Sequence, residues 1–266
     1  MRSIIKLLCV FVGVSFCSCK KVIELDLKES DIKYVIEGII TNEPGTCTVS
    51  LSKSKPFYEN NQFAAVSGAT VKVTDNGLEV LLKETGPGIY QSSSINGKPG
   101  HVYGLTVTID NQQFKAGCTM PQPVQLDSIY ISPGPLGQFS FATVEYSDPV
   151  STKNNYRFIQ YVNGIKDPTI FLNNDEFTNG RSITTQLDTG VDKQDDPRNI
   201  KSGDIVTVEM LCLDRVVYTY WYSLHSGGGE GRTNIAAPAN PVTNIEGGAL
   251  GYFSAHTIDR RTVIAP

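Results

Sequence analysis

Apolar and polar residues alternate with a period of two along most of the chain after residue 33. Seven segments before residue 121 show this pattern or a short version of it: 34–40, 46–52, 69–75, 78–82, 88–90, 102–109 and 113–120. Such alternation predicts half-buried β-strands. The Asn76-Gly77 pair between two of them is typical of a β-hairpin, because both residues tolerate a positive φ. Seven short strands without a helical period favour an immunoglobulin-like β-sandwich over residues 34–121.

The alternation continues after Pro121 and Pro123, two prolines that cannot donate a ladder hydrogen bond and that mark a domain boundary. The strands that we predict beyond this boundary are 127–132, 138–146, 155–162, 181–187, 204–213, 248–258 and 260–265. We therefore predict a mainly β fold, in which the N-terminal immunoglobulin-like β-sandwich is followed by a second antiparallel β-sandwich or barrel-like domain at residues 124–266.

One segment of the second half, residues 214–225, has a helical pattern. Val217, Trp221 and Leu224 recur at i, i+4 and i+7, which is the apolar stripe of a helix. Asp214 can cap its start, and the glycine run at 226–232 ends it rather than forming a phosphate-binding loop. We predict a short helix that packs on the second domain.

The same helix carries Tyr218, Tyr220 and Tyr222. Exposed tyrosines are frequent where proteins recognise sugars, peptides or other proteins. The three residues are therefore candidates for ligand binding, with Trp221 facing the core and Tyr220 on the outer side. The alternative is that the cluster only packs the helix on the sandwich.

The first residues of the chain have the layout of a secretory signal. Arg2 and Lys6 precede ten apolar residues, which are too few for a membrane-spanning helix of about 20 residues. Ser18-Cys19 resembles a bacterial lipobox. We predict a lipoprotein signal peptide at 1–18 and a linker at 19–33 that carries diacylglycerol and an amide-linked acyl chain, such as palmitate, on Cys19.

Composition limits the chemistry that the chain can perform. The formal net charge is −4, which argues against nucleic acid as a partner. Cys47 and Cys118 are candidates for a disulfide, and the alternative is that they and Cys212 are small buried apolar side chains. No Cys or His spacing suggests a metal or another cofactor. The acidic loop at 188–196 fits no familiar calcium-binding pattern, so we interpret it as a solvated loop.

Three histidines, His101, His225 and His256, lie in different segments. The chain has no GxSxG elbow and no HExxH motif. We predict a protein without enzymatic activity and without catalytic residues. A hydrolase whose triad assembles from distant segments is an alternative.

Several segments resemble the DUF4249 lipoproteins of Bacteroidota. The segments that carry the resemblance are the lipidated start at 19–26 and residues 34–38, 66–71, 88–90, 127–129 and 240–253, of which the last is the most specific. Members of the family tend to be encoded beside TonB-dependent outer-membrane receptors. The resemblance thus implies a lipid-anchored accessory or ligand-binding component of a TonB-dependent nutrient uptake system.

On this reading the partners are the membrane, a TonB-dependent receptor and a glycan or peptide nutrient. The sequence leaves open whether the anchored protein faces the cell exterior or the periplasm. A structural or adhesive cell-surface protein, with the sandwiches as spacers, is the alternative of a different class.

Overall fold

The computed structural model describes residues 31–45, 47–55, 63–134, 137, 139–191, 193, 196–227 and 240–266. The predicted signal peptide, Cys19 and most of the predicted linker lie outside the described residues. Within the described part, residues Ile32–Pro266 form one compact unit.

Eight strands precede the predicted boundary at residues 121–124. In chain order they are β1 (Tyr34–Thr41), β2 (Cys47–Lys53), β3 (Thr70–Asp75), β4 (Leu78–Leu81), β5 (Lys83–Gly86), β6 (Ile89–Ser92), β7 (Val102–Ile109) and β8 (Gln112–Thr119). The predicted hairpin is present, since Asn76 and Gly77 both have positive φ between β3 and β4. Strand β5, only four residues long, was not predicted.

Nine strands and one helix follow among the described residues. They are β9 (Leu126–Pro133), β10 (Ser140–Ser147), β11 (Asn155–Val162), β12 (Ile165–Lys166), β13 (Phe171–Asn174), β14 (Ser182–Gln186), β15 (Ile205–Cys212), α1 (Arg215–Gly227), β16 (Ile245–Glu246) and β17 (Leu250–Ile264). The prediction of a mainly β fold with antiparallel sheets and a single helix is confirmed for this part of the chain.

The strands form three sheets. The long sheet has the order β12-β11-β15-β17-β1-β2-β6-β5, with β13 also paired to β11. A five-stranded sheet has the order β16-β8-β7-β3-β4, and a three-stranded sheet has the order β14-β10-β9.

Strand β17 joins the two halves of the chain. It pairs in parallel with β1 on one side and antiparallel with β15 on the other. The sequence analysis predicted two strands here, separated at Asp259, and this was wrong. Asp259 accepts a hydrogen bond from the Leu126 backbone N–H at 2.7 Å, and Arg260 pairs with Glu209 at 2.7 Å, so both charges are accommodated within one strand.

The pairing through β17 crosses the predicted boundary, so the segments 34–121 and 124–266 share one continuous sheet. The chain nevertheless has two hydrophobic cores, one built mainly before the predicted boundary and one built after it. The first combines buried residues of β1, β2 and β6 with those of β3, β7 and β8, and the second combines β9 and β10 with β11 and β15. Each core thus lies between two packed sheets, as in a sandwich.

Helix α1 packs on the face of the long sheet opposite to the second core. On β11, Tyr156 and Phe158 point into the second core, whereas Arg157 and Ile159 point to the opposite face. This alternation creates the surface that α1 covers, and it places the helix next to the boundary between the two halves.

Candidate functional site

Helix α1 packs with the predicted stripe against the first core: Val217 is buried there, and Trp221 and Leu224 are partly buried against it. Tyr220, which was predicted on the outer side, belongs to the same buried face. Val217 and Tyr220 are the buried residues, and the Tyr220 ring lies 4.8 Å from the ring of Tyr252 on β17. Trp221 is only half-buried. Tyr220 therefore packs inside the protein and does not present its side chain to a ligand.

Tyr218 and Tyr222 form a stacked pair on α1, in which Tyr218 is half-buried against the first core and Tyr222 is exposed. Their ring centroids are 6.1 Å apart and their planes differ by 21°. The spacing i, i+4 places both rings on one face of the helix. The Tyr218 hydroxyl accepts a hydrogen bond of 3.0 Å from the Asn174 amide, which orients the first ring, while Tyr222 is 55% exposed. We call these two residues the tyrosine pair.

Two cavities open on either side of the tyrosine pair, and both tyrosines line each of them. The first has a volume of about 640 Å³ and a largely polar wall. Its polar lining includes Lys153, Asn155, Asn174, Asp175, Glu176 and Arg215. The second has a volume of about 400 Å³ and is lined by apolar residues of β13 together with Phe158, Leu187 and His225. An aromatic surface between a polar and an apolar wall is typical of a small-molecule binding site.

A third cavity, of about 270 Å³, lies beside the polar cavity at the N-terminus of α1. It shares Lys153, Asn155 and Arg215 with the polar cavity. The three cavities therefore follow one another along α1, and we call them together the α1 groove.

Asp214, the residue before α1, bonds to the end of β8 instead of capping the helix with its side chain. It was predicted to cap the helix, but its carboxylate accepts the backbone N–H of Thr119 at 2.8 Å. Its carbonyl accepts the N–H of Tyr218 at 2.9 Å, the first turn of the helix. The end of β8 is thus bonded to the start of α1, which positions the groove against both halves of the chain.

The sequence analysis did not single out the polar residues that surround the tyrosine pair. Lys153 and Asn155 are separated from α1 by about 60 residues of chain, and no spacing links them. The pairing of β11 with β13 places Asn155 opposite Asn174, and α1 then lies over both strands. Only the strand pairing could have revealed this group.

The three histidines do not meet. His101 lies 2.5 Å from Asp75, and the Nδ1 of His256 lies 2.8 Å from the Ser254 hydroxyl. Neither pair lines the α1 groove, whereas His225 lines its apolar cavity. Burial, followed by the charge of Arg157, lowers the pKa of His256 to about 4, so this ring is neutral near pH 7.

The cysteines of the described residues are free and buried, so the structure does not contain the candidate Cys47–Cys118 disulfide. Burial raises the pKa of the Cys47 and Cys118 thiols to about 12. Protonated thiols of this kind are unreactive and pack as small apolar side chains. The structure thus matches the second of the two readings that the sequence allowed.

Two aspartates of the acidic loop, Asp192 and Asp195, lie outside the described residues. Asp196 pairs with Arg198 at 2.8 Å, and Asp188 accepts the N–H of Gly190. The described residues contain no cluster of three or more His, Cys, Asp or Glu side chains that could hold a metal ion. In the same residues, no helix has the length and apolarity needed to cross a membrane.

A family model described as a domain of unknown function (DUF4249) matches residues 20–262 of the chain. A comparison with curated proteins found no match. The family match covers α1 and every strand except the last two residues of β17, so the groove lies within the matched region.

Proposed function

Because the chain belongs to the DUF4249 family, we propose that it is a non-enzymatic outer-membrane lipoprotein, anchored through acylated Cys19, that captures a nutrient for a TonB-dependent receptor. The nutrient is a glycan or a peptide, and it binds in the α1 groove. The lipid anchor brings the groove close to the receptor, and import follows transfer of the nutrient.

The tyrosine pair is the observation that supports this proposal most strongly. Two stacked rings, of which one is 55% exposed, stand between two cavities of about 640 and 400 Å³. A tyrosine ring combines a large apolar face with a polar hydroxyl, so an exposed ring beside a cavity can pack on a ligand and hydrogen-bond to it. The polar wall next to it supplies amide, carboxylate and guanidinium groups that can orient a polar ligand.

Receptor association is tested by a mild-detergent pull-down of the C-terminally tagged chain from native membranes. We expect a TonB-dependent receptor to co-purify with the wild type and to be lost with Cys19→Ala, which cannot be acylated. If the wild-type protein is recovered alone, the receptor role is refuted. Exposure to added protease without a receptor would then support the structural or adhesive alternative.

The ligand role is tested by growth on single nutrients that the neighbouring receptor imports. A Tyr218→Ala/Tyr222→Ala variant should grow as poorly as a deletion strain on one of them. Tyr130→Ala is the matched control, because Tyr130 on β9 is also exposed but lies outside the α1 groove. Normal growth of the double variant on every such nutrient would refute ligand binding by the tyrosine pair.

A further inference from the structure

The polar cavity and the cavity at the N-terminus of α1 meet at three residues, Lys153, Asn155 and Arg215. Lys153 and Arg215 are both exposed, and neither makes an ion pair with another described residue. Among the described residues, these two positive charges therefore face the groove without an ion-pair partner. We call these three residues the groove junction.

Asn155 supplies an independent observation at the same place. It is only 9% exposed, yet its side-chain amide forms no hydrogen bond with any described residue. Asn155 lies on the α1 side of β11, the same face as Arg157, and it lines both cavities. The side chain as a whole is nine-tenths buried, but its amide opens on the cavities, where a ligand or water can serve as its hydrogen-bond partner.

The N-terminus of α1 adds donors of the same kind. The first N–H groups of a helix have no partner within the helix, and they carry the positive end of its dipole. The Asp214 carboxylate, which would otherwise cap them, is engaged by the N–H of Thr119. Asp214 and Arg215 both line the smaller cavity, so this turn of the helix borders the groove junction.

Acidic residues also line the two cavities, but two of them already have protein partners. Asp175 accepts the backbone N–H of Asn154 at 2.7 Å, and Asp214 accepts that of Thr119 at 2.8 Å. Glu176 is exposed and forms no ion pair with either cation in the described structure. At the groove junction the two charged groups without an ion pair in the described structure are donors, and the Asn155 amide can donate as well as accept.

We propose that the groove junction binds a carboxylate group of the ligand, while the body of the ligand packs on the tyrosine pair. Arg215 and Lys153 supply charged donors, and the Asn155 amide fixes the orientation of the carboxylate. This proposal rests on the proposed function and narrows the ligand to an acidic one. The carboxylate belongs either to a uronic acid in an oligosaccharide or to an acidic peptide.

Calorimetric titration of the full chain with two matched pairs of probes tests the proposal and separates the two sources. The first pair is tetragalacturonate and its fully methyl-esterified form. The second pair is N-acetyl-tetraglutamate and N-acetyl-tetraglutamine amide. At low ionic strength we expect one acid to bind at least tenfold more tightly than its neutral counterpart, and we expect added salt to reduce that preference.

Variants identify the residues responsible. Lys153→Met/Arg215→Met should lower the affinity for the preferred acid at least tenfold and leave the affinity for its neutral counterpart unchanged. Both residues are exposed, so the variant is expected to fold, whereas Asn155→Ala also needs a check of its unfolding midpoint. Lys115→Met is the control, because Lys115 is an exposed lysine of β8 that does not line the groove.

Two results would overturn the proposal. One is that no acid is preferred over its neutral form by the wild type, and this includes the case in which none of the four probes binds. The other is that the preference persists within threefold in the double variant. Equal binding of acid and neutral forms that is lost in Tyr222→Ala would reject the carboxylate and retain the groove. The receptor pull-down decides the proposed function separately.

Discussion

Gly251 on β17 occupies a position where the tertiary structure allows no side chain. Its φ is +99°, and it pairs in parallel with Ile36 of β1. A Cβ atom built on Gly251 would lie 2.0 Å from the carbonyl oxygen of Ile36 and 2.8 Å from its carbonyl carbon. Both atoms belong to the backbone, so no side-chain rotation can relieve the overlap. We therefore predict that Gly251→Ala is strongly destabilising.

The magnitude follows from two separate costs. A positive φ costs an alanine about 1–2 kcal/mol relative to glycine. Relief of the overlap requires β1 and β17 to separate locally, and the loss of two ladder hydrogen bonds costs about 2 kcal/mol. We expect Gly251→Ala to lower the free energy of unfolding by about 3–4 kcal/mol in total, a large part of the stability of a typical domain.

Gly248 is the matched control for this prediction. It lies three residues earlier with a φ of +88°, and a Cβ atom built there meets no other atom within 4 Å. Gly248→Ala should therefore bear the backbone cost alone, about 1–2 kcal/mol. The difference between the two variants isolates the steric contact with Ile36.

Urea unfolding followed by the fluorescence of Trp221, the single tryptophan of the chain, measures both variants. We expect the two free energies of unfolding to differ by about 2 kcal/mol or more. Losses that agree within about 0.5 kcal/mol would show that β1 and β17 accommodate the methyl group, and the reasoning from the backbone contact would fail.

Three further predictions concern the packing of α1 and the residues beneath it. Burial lowers the pKa of His256 from 6.5 to about 4, so the unfolded state binds a proton at a higher pH than the folded state and the free energy of unfolding falls as the pH drops through this interval, by up to about 3 kcal/mol. Unfolding of the wild type and of His256→Asn at pH 7 and pH 4.5 should show a smaller loss of stability in the variant, and equal losses would contradict this pKa. The Arg157 guanidinium lies 3.4 Å from the centroid of the Trp221 ring, so a double-mutant cycle of Arg157→Met and Trp221→Leu should give a coupling of about 1–2 kcal/mol, which a value near zero would disprove. Tyr220→Ala should cost about 3 kcal/mol in urea unfolding, because the ring is buried, and Tyr222→Ala should cost less than about 1 kcal/mol; equal losses would contradict the orientation of α1.

The sequence by itself determined the class of the fold and the position of most long strands. Strand β7 alternates between buried and more exposed positions along its whole length, and this period is a local property of the chain. Strands β1 and β11 show the period only in part, because each contains adjacent apolar residues, but their apolar content still predicted a strand. The Asn76-Gly77 turn was equally predictable, because its requirement for positive φ is met by those two residue types. Short strands such as β12 and β16, with two residues each, contain no period and could not be predicted.

Only the tertiary structure decided how these strands associate. Nothing in the local sequence shows that β17 pairs with β1 and β15 at once, since the pairing with β1 alone joins residues more than 200 positions apart. Two adjacent charged residues, Asp259 and Arg260, predicted the end of a strand, but their side chains have partners on other segments and the strand continues through them. Whether a strand continues through charged residues therefore depends on the partners that neighbouring segments supply.

The candidate site shows the same division. The sequence identified the tyrosines of α1 as candidates, because their clustering is visible in a short segment. Tyr252 on β17 packs against the ring of Tyr220 and so buries it, whereas Tyr218 is half-buried and only Tyr222 of the three is exposed. The groove junction exists only because β11 and α1 bring Lys153, Asn155 and Arg215 together. The helical period fixes which side chains of α1 share a face, but the strands that this face contacts are decided by the whole fold.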